Sequence, residues 1–174
     1  TIFGYGQVPA TLREKYQEAH DLVMKAWKER EPFSFNGKYT QLRYVNIWPR
    51  PYQQPHPPIW VGGQSRPAIR RAVEHGNAWH PVGATPATPL EPDKLASDIE
   101  YMNNHAVRIG RDPSEVEVAM KAPLYDTELS SGDDRRRFSG EPEQIAEDIQ
   151  IYADLGVTNL IFDVRGSGLK RILE

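Results

Sequence analysis

The stretch of sequence that decides the fold is IWVGGQSRPAI, residues 59–69. It begins with three apolar residues, which is typical of a short strand buried in a parallel sheet. The two glycines end this strand, and either Gln64 or Ser65 can cap the helix that follows, which has a proline in its first turn. The stretch therefore predicts a strand, a tight turn and a helix in direct succession, the repeating unit of an α/β protein.

Further strands and helices alternate downstream of this stretch. In chain order we predict a helix ending at Gly76, a strand over 78–82, a helix over 95–109, a strand over 116–124, a helix over 142–156 and a strand over 157–164. This alternation is typical of a parallel sheet with right-handed crossovers, and its short, regular units favour a (β/α) barrel of TIM type over a Rossmann sheet. Because such a barrel needs eight strands, we predict that residues 1–174 form a single α/β domain, the C-terminal half of a (β/α)8 barrel with four βα units.

Residues 1–58 precede the first of these strands. Thr11 and Glu14 have the spacing of a capping box, and the apolar stripe that follows predicts a helix of about 20 residues. Aromatic and polar residues alternate around Asn36-Gly37, which predicts a hairpin. Five prolines between positions 49 and 58 predict an extended connector. The hairpin and the connector together form an insertion over residues 32–58.

Composition excludes several classes of protein. The chain has 174 residues, a net charge of −3 and no cysteine, so disulfide scaffolds and thiolate sites are excluded and nothing in the charge favours nucleic acid. No apolar run approaches the roughly 20 residues of a membrane span, and the first residues do not resemble a signal peptide, so we expect a cytoplasmic protein. Since residue 1 is not methionine, we expect the chain to be a piece of a longer protein.

One charged segment has a simple interpretation. Arg135 and Arg137 closely follow Asp133-Asp134, and opposite charges this close in sequence can screen one another in water. We therefore predict a solvated loop that compensates its own charge rather than a binding site.

The glycine junction is the first candidate site. The two glycines, Gly62 and Gly63, let the backbone approach an anion closely, and the helix that follows offers free amide hydrogens and the positive end of its dipole. Gln64 and Ser65 add side-chain donors, and Arg66 can add a positive charge. A tight turn that binds nothing accounts for the same residues, so on physical chemistry alone the phosphate site and the plain turn both stay open.

The ends of two other strands supply further candidates. Trp79 and His80 lie near the end of the strand over 78–82, where barrel enzymes build their sites. His80 is a candidate general base or hydrogen-bond donor to a ring, and a histidine packed beside a proline on the barrel rim is the alternative. Arg165 follows the last strand and can hold an anionic substrate or cofactor, or lie solvated. No pair of histidines has metal-ligand spacing, so we predict no metal site.

Several segments together resemble the luciferase-like monooxygenases and their coenzyme F-420-dependent relatives. These segments are PFSFNGKY at 32–39, WPRPYQQPHPPIWVGG at 48–63, the helix and strand over 68–79, GEPEQIA at 140–146 and LGVT at 155–158. The resemblance runs from about Thr11 to Arg165. It departs from the family at GNAW, residues 76–79, where relatives often have Gly-Asp-Gly-Trp, and in length, because family members are about twice as long and the N-terminal half is missing here.

The resemblance implies an oxidoreductase that uses reduced flavin mononucleotide (FMN) or coenzyme F-420 at the carboxyl end of a barrel. The reaction would be monooxygenation, or hydride transfer to or from the deazaflavin ring, on a small organic substrate, and the full-length parent would be a homodimer. The resemblance also implies that the Gly-Gly junction contacts the cofactor phosphate, and it adds Trp79 to the cofactor-binding residues.

Two alternatives stay open. The chain can be a catalytically inert half-barrel that depends on a partner half or a dimer, because its sheet edges would otherwise be exposed. It can also be another phosphate-binding barrel enzyme, such as a sugar-phosphate isomerase or an aldolase. The aldolase is the weaker case, because Lys121 lies within a predicted strand and no lysine stands at a strand end.

Overall fold

The computed structural model of the chain describes residues 8–82, 90–124, 135 and 137–163. These residues fall into two compact units, which meet in the sequence between Pro57 and Pro58. The first unit contains one helix and a hairpin, and the second contains the parallel sheet with its helices. The division falls at the end of the proline-rich connector. That residues 1–174 form a single domain stays a prediction.

Helix α1 of the first unit spans Pro9–Lys28. It begins before the predicted capping box, because Pro9 has a backbone angle suited to the first helical position and Val8 takes the capping position. Thr11 therefore lies inside the first turn, where its hydroxyl donates to the Val8 carbonyl at 3.0 Å. The prediction of a Thr11–Glu14 capping box is wrong, although the predicted helix is present.

The predicted hairpin is confirmed as strands β1, Phe33–Asn36, and β2, Gln41–Val45, which pair antiparallel. Its turn is longer than the Asn-Gly pair alone, since the Gly37 amide donates to the Thr40 carbonyl at 2.8 Å. Glu18 on α1 accepts hydrogen bonds from the backbone of this turn, including one of 2.6 Å from the Thr40 amide. A helix carboxylate thus fixes the hairpin turn.

The second unit is built on four parallel strands, as the alternating pattern predicts. They are β3 (Trp60–Gly62), β4 (Ala78–His80), β5 (Glu117–Leu124) and β6 (Asn159–Asp163), in that spatial order. Each pair of neighbours is parallel, so all four carboxyl ends lie at one edge of the sheet. The connections contain helices α2 (Arg66–His75), α3 (Pro92–Arg108) and α4 (Pro142–Asp154).

The core of the second unit combines one face of the sheet with the helices. Its buried side chains include Val61, Ile69, Trp79, Leu95 and Met120. Side chains alternate along a strand, so Trp60 and Ile161 lie on the other face, where they are 44% and 38% exposed. The prediction that β3 is wholly buried is therefore wrong for Trp60.

Arg135 and Arg137 are not charges of a self-compensating loop. Both donate to Asp148, a fully buried carboxylate of α4, at 2.7 and 2.9 Å, and the Phe138 amide donates to the same group at 2.7 Å. Burial opposes ionisation of Asp148, but these hydrogen bonds outweigh it and lower its pKa below the ordinary value. A buried carboxylate needs such partners. The charge pattern around residues 133–137 did not predict this pairing, because Asp148 lies on the following helix, 13 positions from Arg135.

Candidate functional site

The junction between β3 and α2 is fixed by the neighbouring strand β4. Gly63 has φ of +117°, a backbone conformation that side-chain-bearing residues rarely adopt. Its amide donates to the His80 carbonyl at 3.3 Å, and its own carbonyl accepts from the Trp79 indole nitrogen at 2.7 Å. Both polar groups of Gly63 are thus engaged by consecutive residues of β4, so the turn is rigidly placed.

Ser65 caps α2, as one of the two predicted capping residues. Its hydroxyl accepts from the Ala68 amide, and Pro67 lies in the first turn. The backbone N–H groups of Gln64, Ser65 and Arg66 make no hydrogen bond to another described part of the backbone. Unpaired amides at the positive end of a helix dipole are the groups that bind an anion in proteins.

The side chains of Gln64 and Arg66 are held by other parts of the second unit. The Gln64 amide nitrogen donates to the Val82 carbonyl at 2.9 Å, which bridges the junction to the segment after β4. The Arg66 guanidinium lies 4.0 Å from the centre of the Tyr101 ring and 3.5 Å from a carboxylate oxygen of Asp98. Asp98 is buried, so α3 neutralises part of the charge that Arg66 offers near the junction.

Trp79 is entirely buried, and its visible contribution to the junction is the hydrogen bond to Gly63. It holds the turn in place from the core, which is a positioning role. The departure from the family pattern at Asn77 also has a local explanation, because its side-chain oxygen accepts from the Ile59 amide at 2.9 Å and so joins the two strand starts. Ala78 is fully buried, and a small residue suits that position.

His80 ends β4, and among the described residues only its Nδ1 has a hydrogen-bond partner. Its Nδ1 lies 2.5 Å from the Ala119 carbonyl, and a carbonyl can only accept, so Nδ1 carries the hydrogen. In the neutral ring Nε2 is then the unprotonated nitrogen, able to accept a proton or a hydrogen bond. The ring lies 5.9 Å from the Trp60 ring, centre to centre, on the sheet face opposite Trp79.

The structure brings together most, but not all, of the predicted site residues. The two glycines, Gln64, Ser65, Arg66, Trp79 and His80 all lie around the carboxyl ends of β3 and β4. Arg165 lies outside the described residues, as do residues 83–89 after β4 and 125–134 after β5. No group of side chains within the described residues could hold a metal ion.

Partners of the junction that the sequence pattern missed are mostly backbone carbonyls. Val82 and Ala119 act through the main chain, and such a role leaves no signal in the residue type. Tyr101 and Asp98 are side chains on a helix whose spacing indicated only a buried face. In the described helices no segment is long and apolar enough to cross a membrane.

Comparison with known proteins gives a family match over most of the chain. Residues 2–131 match the sequence model of the family described as luciferase-like monooxygenase. Among curated proteins, the FMNH(2)-dependent dimethylsulfone monooxygenase of Pseudomonas putida is 27% identical over an alignment 173 residues long, gaps included. The alignment covers 85% of this chain and 47% of that protein. The chain therefore spans about half the length of this curated relative.

Solved structures match the fold. Monooxygenase RslO1 from Streptomyces bottropensis superposes with a TM-score of 0.70 at 19% identity, over 92% of this chain and 56% of that one. The coenzyme F420-dependent tetrahydromethanopterin reductase from Methanopyrus kandleri gives 0.64 at 17% identity, over 89% of this chain and 57% of that one. The neighbours are barrels of TIM type, which confirms the predicted fold class of a partial parallel barrel.

Proposed function

Since the chain belongs to the luciferase-like monooxygenase family, we propose that it carries the phosphate-binding part of an oxidoreductase using reduced FMN or coenzyme F-420. The observation that supports this most is the Gly63 turn, which β4 holds in place at the start of a capped helix. A side chain at Gly63 would place its Cβ 2.9 Å from the Cβ of Ala68, so the turn requires a residue without one. A close backbone approach of this kind suits a phosphate.

The described residues would have two different roles at such a site, binding the phosphate and positioning the turn. The amides of Gln64, Ser65 and Arg66 would bind the phosphate, and Trp79 would keep the Gly63 turn in place. When bound, the flavin or deazaflavin ring supplies the redox chemistry, toward oxygen in a monooxygenase or as hydride transfer in an F-420 enzyme. Arg165 remains a proposed ligand for an anionic substrate or cofactor, and a small organic molecule is the proposed substrate.

Replacing Ser65 with aspartate tests the phosphate site without removing the helix cap. Aspartate and asparagine both cap helices about as well as serine, so neither change should unfold α2. The added carboxylate repels a phosphate at the same amides, and we expect Ser65→Asp to weaken FMN or F-420 binding by about tenfold or more. Ring fluorescence in titrations of the chain measures this affinity.

Ser65→Asn is the matched control, since it keeps the cap and adds no charge. It should bind within about twofold of the unchanged chain, because it adds no repulsive term. Equal affinities for the aspartate and asparagine variants would show that the phosphate lies elsewhere.

We further propose that His80 Nε2 accepts a proton or a hydrogen bond from the cofactor ring or the substrate. The observation behind this is the Nδ1 bond to Ala119, which leaves Nε2 as the acceptor. In a catalytically competent protein that contains these residues, His80→Phe should lower turnover by about 10²-fold or more, the usual contribution of a general acid or base. Phosphate binding should be unchanged, and turnover that survives the substitution would exclude this role.

A second candidate is an inert half-barrel that becomes active only with a partner half or in a dimer. The observation that favours it is the sheet face carrying Trp60 and Ile161, which would be the interior of a closed barrel but is 44% and 38% exposed at these side chains. A chain that binds phosphate yet shows no turnover with any reduced cofactor would identify this case. The family match removes the sugar-phosphate isomerases and aldolases from consideration.

A further inference from the structure

The first unit contains a cavity separate in sequence from the glycine junction. Its volume is about 520 Å³, and it is lined by the end of α1 and the proline-rich connector. The polar and aromatic lining residues are Trp27, Lys28, Arg30, Trp48, Arg50 and Gln54, and the others are prolines. Small-molecule sites in proteins commonly enclose about 300–1,000 Å³, so this cavity has the size of a ligand site.

The lining of the cavity is positively charged. Lys28, Arg30 and Arg50 contribute three cations, and no carboxylate is among the described residues that line it. An anion in such a cavity meets a complementary charge, whereas a cation would be repelled. Charge therefore selects a negatively charged ligand.

Arg50 is the cation that the structure orients most closely. Its Nη2 donates to the Arg30 carbonyl at 2.9 Å and to the Asn46 side-chain oxygen at 2.8 Å. Its guanidinium also lies 5.2 Å from the centre of the Trp48 ring. These contacts hold a guanidinium in place ahead of any ligand, which reduces the entropy lost on binding.

The other terminal nitrogen of Arg50 has an unused donor capacity. Nη1 is enclosed and has no hydrogen-bond partner among the described residues. Because Nη1 is enclosed and Nη2 is already paired, Arg50 acts on the cavity through its positive charge. This charge, together with those of Lys28 and Arg30, favours a carboxylate or a similar oxyanion as the ligand.

The two tryptophans give the same cavity flat apolar surfaces. Trp48 is 69% exposed, and Trp27 stacks on His56 with ring centres 6.0 Å apart. Indole rings favour contact with another planar ring. We propose that the cavity binds a planar aromatic anion, with its carboxylate beside the three lining cations and its ring against the tryptophans; this site is independent of the proposed cofactor-phosphate site.

Calorimetric titration of the full chain with benzoate tests the proposal. Benzamide has the same shape without the charge, and acetate has the carboxylate without the ring. We expect saturable benzoate binding that is about tenfold or more tighter than the binding of either comparison compound, because a charge-assisted bond and ring contact each contribute. No saturable benzoate binding, or equal binding of benzamide or acetate, would overturn the proposal.

Substitutions locate the binding. Arg50→Gln and Trp48→Leu should each reduce benzoate affinity by about tenfold, whereas Arg43→Gln, an exposed arginine on β2 outside the cavity, should not. Trp48→Leu tests the cavity even if Arg50→Gln fails to fold, because Trp48 is largely exposed and its replacement leaves the core intact. Unchanged benzoate affinity in the folded Trp48 variant would place the ligand outside this cavity.

Discussion

Replacing Gly63 with alanine is expected to abolish phosphate binding at the β3–α2 junction. The glycine holds φ at +117°, and an added Cβ would lie 2.9 Å from the Cβ of Ala68, closer than side-chain carbons approach. Relief of this contact must shift the turn or the first turn of α2, and either movement misplaces the amides of Gln64 and Ser65. Strain of this kind also lowers the free energy of unfolding by about 1–3 kcal/mol.

Gly156→Ala separates the loss of the site from the strain of the backbone. Gly156 has φ of +98°, similar to that of Gly63, but an added Cβ there meets nothing within 4 Å, and it lies after α4 away from the junction. This control should show the part of the stability loss that comes from the positive φ alone, and it should keep full affinity for FMN. If Gly63→Ala retains the affinity of the control, measured by fluorescence titration, the close approach of a phosphate to this turn is wrong.

The substitution Asp148→Asn is expected to have the largest effect on stability. It leaves the guanidinium groups of Arg135 and Arg137 without their buried counter-charge. Breaking a buried pair typically lowers the free energy of unfolding by about 3–5 kcal/mol, and because the two arginine side chains are 20% and 34% exposed we expect the lower end, about 3 kcal/mol. Denaturant unfolding followed by circular dichroism measures the change, and Asp154→Asn, an exposed carboxylate of the same helix, should change it by less than about 0.5 kcal/mol.

The pairing of Asp148 with Arg135 and Arg137 also predicts that the stability of the chain depends on pH. The folded state lowers the pKa of Asp148, so its contribution to stability is complete above the unfolded pKa of about 4 and is lost as pH falls through the lower folded-state value. The difference in unfolding free energy between the unchanged chain and Asp148→Asn should therefore be constant from about pH 5 to 7 and shrink in more acidic solution. A difference that does not depend on pH would mean that the charge of Asp148 contributes nothing.

Local patterns in the sequence were sufficient for the elements and for the candidate junction. The run of apolar residues, two glycines and a capping residue predicted β3, the turn and α2, and the structure confirms Ser65 as the cap. The alternation of strands and helices predicted the parallel order of the sheet, because crossover connections admit few other topologies. In each of these patterns, the residues that determine the local structure lie within a few positions of the turn, cap or strand that they form.

Contacts between distant segments could not be predicted in the same way. The pairing of Arg135 with Asp148 and the bond from Trp79 to Gly63 join residues 13 and 16 positions apart, in different elements. Whether Arg66 faces a ligand or Asp98 depends on how α2 and α3 pack, which residue types alone do not specify.

The start of α1 differed from the prediction for a local reason, because Pro9 favours the first helical position more strongly than Thr11 favours the capping position.

The central claim is that the β3–α2 junction binds the phosphate of a flavin or deazaflavin cofactor. Titrating the chain with FMN and with riboflavin, which is the same molecule without the phosphate, tests it most directly. The account predicts that FMN binds about tenfold or more tightly than riboflavin and that inorganic phosphate competes with it, because charge-assisted bonds to the phosphate supply most of the affinity. Equal binding of FMN and riboflavin, or binding of neither, would contradict it.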